Sequence, residues 1–324
     1  MNAGAARPSA RLPLSRVGLT GVEKVVRLGV DERSAQPFSA RLECFVEPDP
    51  ERHAASLPRF DEAVNEAIRE VVADDPGVRA ERLAQEVADR IRRRQHARRA
   101  DVTIAARFPE RRPAPVSGIA TQEISTLHAR AVASERGTRR IVGISAQGMT
   151  TSPFAQSVVA ARARDRLAAS GFSEVNIARV LDRIPVATHD QIGVGTLHVG
   201  YPEDCALEFD VAALLGIVNG AVSSEIFELM KRSDEAAVVE RAHRRPRFPD
   251  ECVRAMICGV VARFPDVPDA AFVFAAHQST ETARAHHLTA ERAGSFGELR
   301  RELRTGEPLA QRTSLRRWLE ADGR

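Results

Sequence analysis

Imidazoles and carboxylates recur through the second half of this chain where loops and helix starts are expected. Thr188-His189-Asp190-Gln191 comes first, followed by Lys231-Arg232-Ser233-Asp234-Glu235, then Phe248-Pro249-Asp250-Glu251, then Glu281 with Arg284 and His286. Neutral imidazole with carboxylate is a donor set for a divalent metal. A carboxylate and an imidazole can also manage protons in a hydrolysis. Lys231, Arg232 and Arg284 are cations that suit phosphate or another anion.

Each of these residues also has a plainer role. His189 can be a solvated loop histidine. Ser233 can cap a helix whose first turn holds Asp234 and Glu235, favourable with the helix dipole. Asp250 and Glu251 can open a helix behind Pro249 in the same way. No single residue decides; their joint order and spacing does.

The elements that must position them read as follows. Val17 to Val30 and Phe38 to Val46 are strands by partial alternation. Phe60, Ala63, Val64, Ala67, Ile68, Val71 and Val72 form one face of a helix that Asp74-Asp75-Pro76-Gly77 stops. Ala80, Leu83, Val87 and Ile91 mark a second helix ending in Arg92-Arg93-Arg94, which suits a helix C-terminus. Val102 to Phe108 and Ile119 to Val132 are strands. The second half repeats this order loosely. A strand at 140–145, helices at 155–169 and 173–184, a strand at 194–199 and short helices at 209–218 and 224–230 precede a long amphipathic helix from Phe248 to Phe264. A buried strand at 270–276 and helical segments around Trp318 complete it. The expected organisation is a disordered 1–13, an α+β module over 14–135, a second over 136–305 carrying most site residues, and a helical tail at 306–324.

The bulk numbers set limits. The net charge of +3 is too mild to argue for nucleic acid without a clustered patch. No stretch approaches the ~18 apolar residues that a membrane helix needs, and Met1 to Leu12 lacks a signal-peptide core. Cys44, Cys205, Cys252 and Cys258 stand singly, so neither a zinc ribbon nor a redox pair is signalled. A cytoplasmic protein is the expectation, with neither membrane nor nucleic acid as partner.

Taken together, these motifs resemble the type IB GTP cyclohydrolases, the folate and archaeal methanopterin kind. The resemblance runs from about Ser15 to about Arg304 and is best from Thr188 to Arg254. It implies tandem tunnelling-fold (T-fold) modules, antiparallel sheets backed by helices, and a homotetramer with sites at subunit interfaces. It implies hydrolytic opening of the guanine imidazole ring of GTP, with C8 leaving as formate and a dihydroneopterin phosphate as product.

The family holds a divalent metal with cysteine, histidine and glutamate. His189 matches the histidine and Glu235 the glutamate. The cysteine of a Cys-Pro-Cys turn after Gly148-Met149-Thr150-Thr151 is Ser152 here, and Phe154 stands for the second cysteine. A hydroxyl in place of thiolate leaves a harder N/O site for a divalent metal (manganese, iron, zinc or magnesium), favouring manganese or magnesium over zinc. Phe154 is expected to make the pocket more apolar. Asp250, one methylene shorter than the family's base-anchoring glutamate, would grip the guanine edge with Glu251 beside it. Glu281 and His286 match the proton-handling pair, while the first family histidine is Arg284. Asp190 and Ile192 replace Asn and Arg, and Ser56-Leu57-Pro58-Arg59-Phe60 replaces His-Met-Ser-Arg-Phe. Two further readings stay open: an enzyme acting on another purine-like heterocycle in specialised metabolism, and a non-catalytic T-fold protein that binds a purine or pterin.

Overall fold

The computed structural model describes residues 14–29, 35–48, 57–74, 79–205, 207–280 and 286–321. The expected disordered start at 1–13 lies outside them, as do Ser56, Glu281 and Arg284. The chain divides into two compact units. One comprises residues 1–104, 129–140 and 322–324; the other comprises 105–128 and 141–321.

The first unit is built on β1 (Val17–Leu28) and β2 (Gln36–Glu47), which pair antiparallel from Val17↔Val46 to Leu28↔Gln36. The register slips between Leu19 and Val22, where Gly21 takes φ +70°, a conformation glycine adopts without steric cost. Alternation along β2 buries Phe38, Ala40, Leu42, Cys44 and Val46. Helices α1 (Leu57–Asp74) and α2 (Ala80–Arg94) cover this core. Their expected stripes are the buried ones: Phe60, Val64, Ala67, Ile68 and Val71 on α1, and Ala80, Leu83, Val87 and Ile91 on α2. Arg94 and Arg90 of α2 pair with Glu70 of α1 at 2.8 and 2.9 Å.

The second unit holds parts of β3 (Arg99–Pro113), β4 (Ala120–Ser134) and β5 (Gly137–Thr151), followed in strand order by β6 (Asp190–Pro202), β8 (Phe272–Thr280) and β9 (His287–Ser295). The two-residue β7 (Ser224–Glu225) joins β5 antiparallel. Pairs β6–β8 and β8–β9 are antiparallel as well. Helices α5 (Val211–Ala221), α7 (Pro249–Arg263) and α8 (Phe296–Thr305) pack on this end of the sheet. Leu197, Val199, Leu214, Val218, Met256, Val260, Val273 and Ala275 form its dry interior. Trp318 of α9 (Leu315–Glu320) stacks on Phe272 and donates its indole N–H to the Ala270 carbonyl at 2.8 Å. Helices α3 (Pro153–Ala169) and α4 (Glu174–Arg183) pack on each other, and α3 buries no residue. Helix α6 (Arg232–Arg244) precedes α7.

The architecture is α+β with antiparallel strand pairs. Three details differ from the sequence reading. Residues 224–230 were expected as a helix, but Ser224–Glu225 is a strand. The Ser223 N–H donates to Met149 O, and the Ser223 hydroxyl accepts from Thr151 N and Arg247 N, so tertiary hydrogen bonds hold the segment along β5. Helix α6 starts at Arg232, so Ser233 lies inside it and is not its cap. β9 lies where no strand was expected, because its alternation is mostly among polar residues. The long β3, β4 and β5 each contribute residues to both compact units.

Candidate active site

Ser152 stands between the last residue of β5 and the first turn of α3. Its backbone is extended (φ −81°, ψ 111°), and its hydroxyl accepts the Ala155 N–H at 3.2 Å with Pro153 opening the helix. This is an ordinary helix N-cap, and it buries Ser152. The loop carrying His189 is fastened to the same residue. Ser152 N–H donates to the His189 carbonyl at 3.4 Å, and the Thr188 hydroxyl donates to the Ser152 carbonyl at 2.8 Å. Ser152 and His189 are therefore neighbours. His189 Nε2 lies 3.2 Å from Gln191 Nε2. Asp190 Oδ1 and His243 Nε2 are 2.9 Å apart. Gln156 Nε2 donates to Val186 O and His243 O, and the Thr151 hydroxyl to Ala242 O. The last turn of α6 thus closes one side of this cluster. Phe154 is 72% exposed, so it points to solvent and does not line this cluster as an apolar wall.

The first turn of α6 holds the next group. Lys231, Arg232 and Glu235 are exposed. Glu235 lies seven residues before Ala242, about 10 Å along the axis at 1.5 Å per residue. Between Arg232 and Glu235, Asp234 is fully buried. Its Oδ1 accepts from Val116 N and Ser117 N, and its Oδ2 from the Ser117 hydroxyl and Lys231 N. Burial opposes ionisation here, but hydrogen bonds from Ser117, Lys231 and Val116 outweigh it and hold the carboxyl well below its ordinary value.

At the start of α7, Glu251 accepts the Phe248 N–H at 2.8 Å, and Asp250 pairs with Arg254 one turn on at 2.5 Å. One Glu251 oxygen is thereby committed locally. Asp250 instead lines a cleft of about 370 Å³ with Val253, Arg254, Ile257 and Cys258 of α7, Arg292 of β9 and Leu299 of α8. His286 is exposed just before β9.

A further charged group was not singled out from sequence. Arg112 lies 3.4 Å from Glu225, donates to Ile226 O, and sits over the Phe227 ring. Arg241 approaches Glu225 at 3.7 Å. Glu110 and Glu123 line the same small recess as Arg112, and burial pushes the Glu110 carboxyl up. The signal was the spacing Glu110-Arg111-Arg112, which puts Glu110 and Arg112 on one strand face. It was hidden because the strand was expected to end at Phe108.

The residues present do not fit a thiolate-type metal centre. The Ser152 hydroxyl is neutral and already caps α3. Among the described residues no three His, Cys, Asp or Glu side chains gather to hold an ion. The buried thiols offer no substitute, since burial pushes Cys44 and Cys252 up to about 12.

The chain matches the family model described as "Type I GTP cyclohydrolase folE2" over residues 3–288. It is similar to GTP cyclohydrolase MptA of Methanosarcina mazei, 33% identical over 310 residues, 92% of this chain and 96% of the relative. It is similar to MptA of Methanococcoides burtonii, 34% identical over 306 residues, 92% and 95% of the two chains. Among solved structures it is similar to a hyper-thermostable AgUricase mutant, with a TM-score of 0.50 and 10% identity, covering 88% of this chain and 92% of the other. That likeness is one of fold alone.

Proposed function

Because this chain belongs to the type I GTP cyclohydrolase folE2 family, we propose that it opens the imidazole ring of GTP by hydrolysis. C8 would leave as formate, and a dihydroneopterin phosphate would remain. The observation that carries this reading is the near end-to-end match to MptA relatives. The fastening of His189 to Ser152 supports it, because two motif positions distant in sequence lie side by side.

In this reading Lys231 and Arg232 face the triphosphate, since both are exposed cations at a helix start. Asp250 takes the two guanine N–H donors of the base edge. It is better suited than Glu251 because it lines the cleft between α7, β9 and α8, which Glu251 does not. His286 and Glu281 exchange protons with the attacking water and the leaving nitrogen. No step is assigned to a metal, given the donor set. The finer parts of the proposal are the type IB kind, tandem T-fold modules over 14–135 and 136–305, a cytoplasmic location, and a homotetramer. Exposed Phe154, Val158 and Val159 on α3 support an assembly of copies.

A second reading, an enzyme that acts on another purine-like heterocycle, is favoured by Ser152 serving as a helix cap. The test is formate release by the purified full chain from GTP and from simpler purines, with and without added manganese, magnesium, iron or zinc. Formate from GTP supports the first reading. Formate or turnover only from another purine supports the second. No product from any of them overturns both.

A further inference from the structure

We infer that Asp234 is a positioning residue for the substrate-facing start of α6, acting through the turn between β3 and β4. The inference rests on the reading above that Lys231 and Arg232 face the substrate, and takes the exposed Glu235 of the same turn to face it with them.

The geometry separates Asp234 from an ordinary cap. A capping acid serves its own helix and stays at the surface. Asp234 is fully buried and takes four donors. One of them, Lys231 N–H at 2.8 Å, belongs to the helix start. The other three come from Val116 N, Ser117 N and the Ser117 hydroxyl, at 2.8, 2.8 and 2.6 Å. The turn that supplies them is itself closed by Ala114 N–H to Ile119 O and Gly118 N–H to Ala114 O, with Gly118 at φ +68°. A rigid turn thus holds one carboxylate, and that carboxylate holds the backbone of Lys231. The flanking residues Lys231, Arg232 and Glu235 are all exposed, so the clamp fixes the base of side chains that are free to meet a ligand. Charge-assisted bonds to backbone N–H groups are the strong kind, so the helix start is held in one place before substrate arrives.

The two oxygens divide the work, which makes the inference testable. Oδ1 serves only the turn; Oδ2 serves Ser117 Oγ and Lys231 N. In Asp234→Asn an amide NH2 in the Oδ2 position would face the Lys231 N–H, donor against donor. The Ser117 hydroxyl can rotate to accept. The substitution therefore releases the helix start and leaves the turn's backbone bonds in place. Ser117→Ala removes one bond on the turn side and leaves Lys231 held.

The experiment compares kcat, KM for GTP and melting temperature for the wild-type chain, Asp234→Asn, Ser117→Ala and Glu235→Gln. We expect Ser117→Ala to lower the melting temperature with kinetic constants unchanged. Asp234→Asn should raise KM about tenfold, the loss expected for one charge-assisted hydrogen bond. Glu235→Gln should lower kcat/KM. If Asp234→Asn fails to fold, Lys231→Pro is compared with Lys231→Ala. Both lack the ammonium, and only proline lacks the N–H that Asp234 holds, so the proline variant should show the higher KM. Equal kinetics for Asp234→Asn and Ser117→Ala, or for the two Lys231 variants, overturn the inference alone. A wild-type chain inactive on GTP, or one whose Glu235→Gln variant is fully active, overturns the underlying reading and the inference with it.

Discussion

Helices α6 and α7 begin with the same local device. In each, an acid at the third helical position reaches back to the N–H of the residue before the helix: Asp234 to Lys231 and Glu251 to Phe248, both at 2.8 Å. The likeness ends there. Glu251 is half-buried, whereas Asp234 is fully buried and also holds a turn 117 residues away in sequence. A cap acts on one helix. A clamp couples a helix to another part of the sheet, and it does so beneath the residues proposed to meet GTP. A carboxylate at the same helical position thus carries two different weights, and tertiary structure sets them apart.

The sharpest way to break this comparison is to truncate both acids. Asp234→Ala leaves four donors without their acceptor, whereas Glu251→Ala leaves one. Asp234→Ala should give the largest fall in melting temperature of any change named here, and Glu251→Ala a loss of about 1 kcal/mol. Equal losses in calorimetry would reduce Asp234 to a second cap.

Acid titration sharpens the comparison with a buried group held the other way. His277 is fully buried, and neither ring nitrogen meets a hydrogen-bond partner among the described residues. It lies against β6, where a Cβ on Gly193 would fall 2.3 Å from its ring. Burial lowers its pKa from 6.5 to about 4. Between those values the unfolded chain takes up a proton that the folded chain refuses. Stability is therefore complete above about pH 6.5 and falls as pH drops toward 4, by on the order of 3 kcal/mol. The contribution of Asp234 is present above its ordinary 3.8 and is lost only as pH falls below that. Urea unfolding followed against pH should show both windows. His277→Leu should flatten the upper one and leave the lower. An unchanged upper window in that variant would contradict the assignment.

The smallest expected effect is at a third helix start. Ser152→Ala should cost about 1 kcal/mol for the lost α3 cap. A much larger loss would mean that the hydroxyl does more than cap.

How much of this was legible in the sequence follows from the range of the interactions. The stripes of α1, α2 and α7 could be read directly, because burial repeats every 3.6 residues along them. β3 was expected to end at Phe108 because its last residues alternate among polar types, such as Arg111 and Arg112, and give no apolar pattern. β7 was read as helix because what holds Ser224 and Glu225 is pairing with Gly148 and Met149. In the site, the meeting of Ser152 and His189 was implied only by the family resemblance. The Asp234 clamp was invisible, because three of its four donors come from a distant turn and two of those are backbone N–H groups, which no side-chain pattern reveals.

The most direct test of the central claim is formate released from GTP labelled at C8, by the wild-type chain and by Ser152→Cys, each with and without added metal. The account predicts formate from the wild-type chain, whose serine caps a helix at the position of the family's cysteine. A silent wild-type chain beside an active Ser152→Cys variant would contradict it, and would mean that the serine abolished the chemistry.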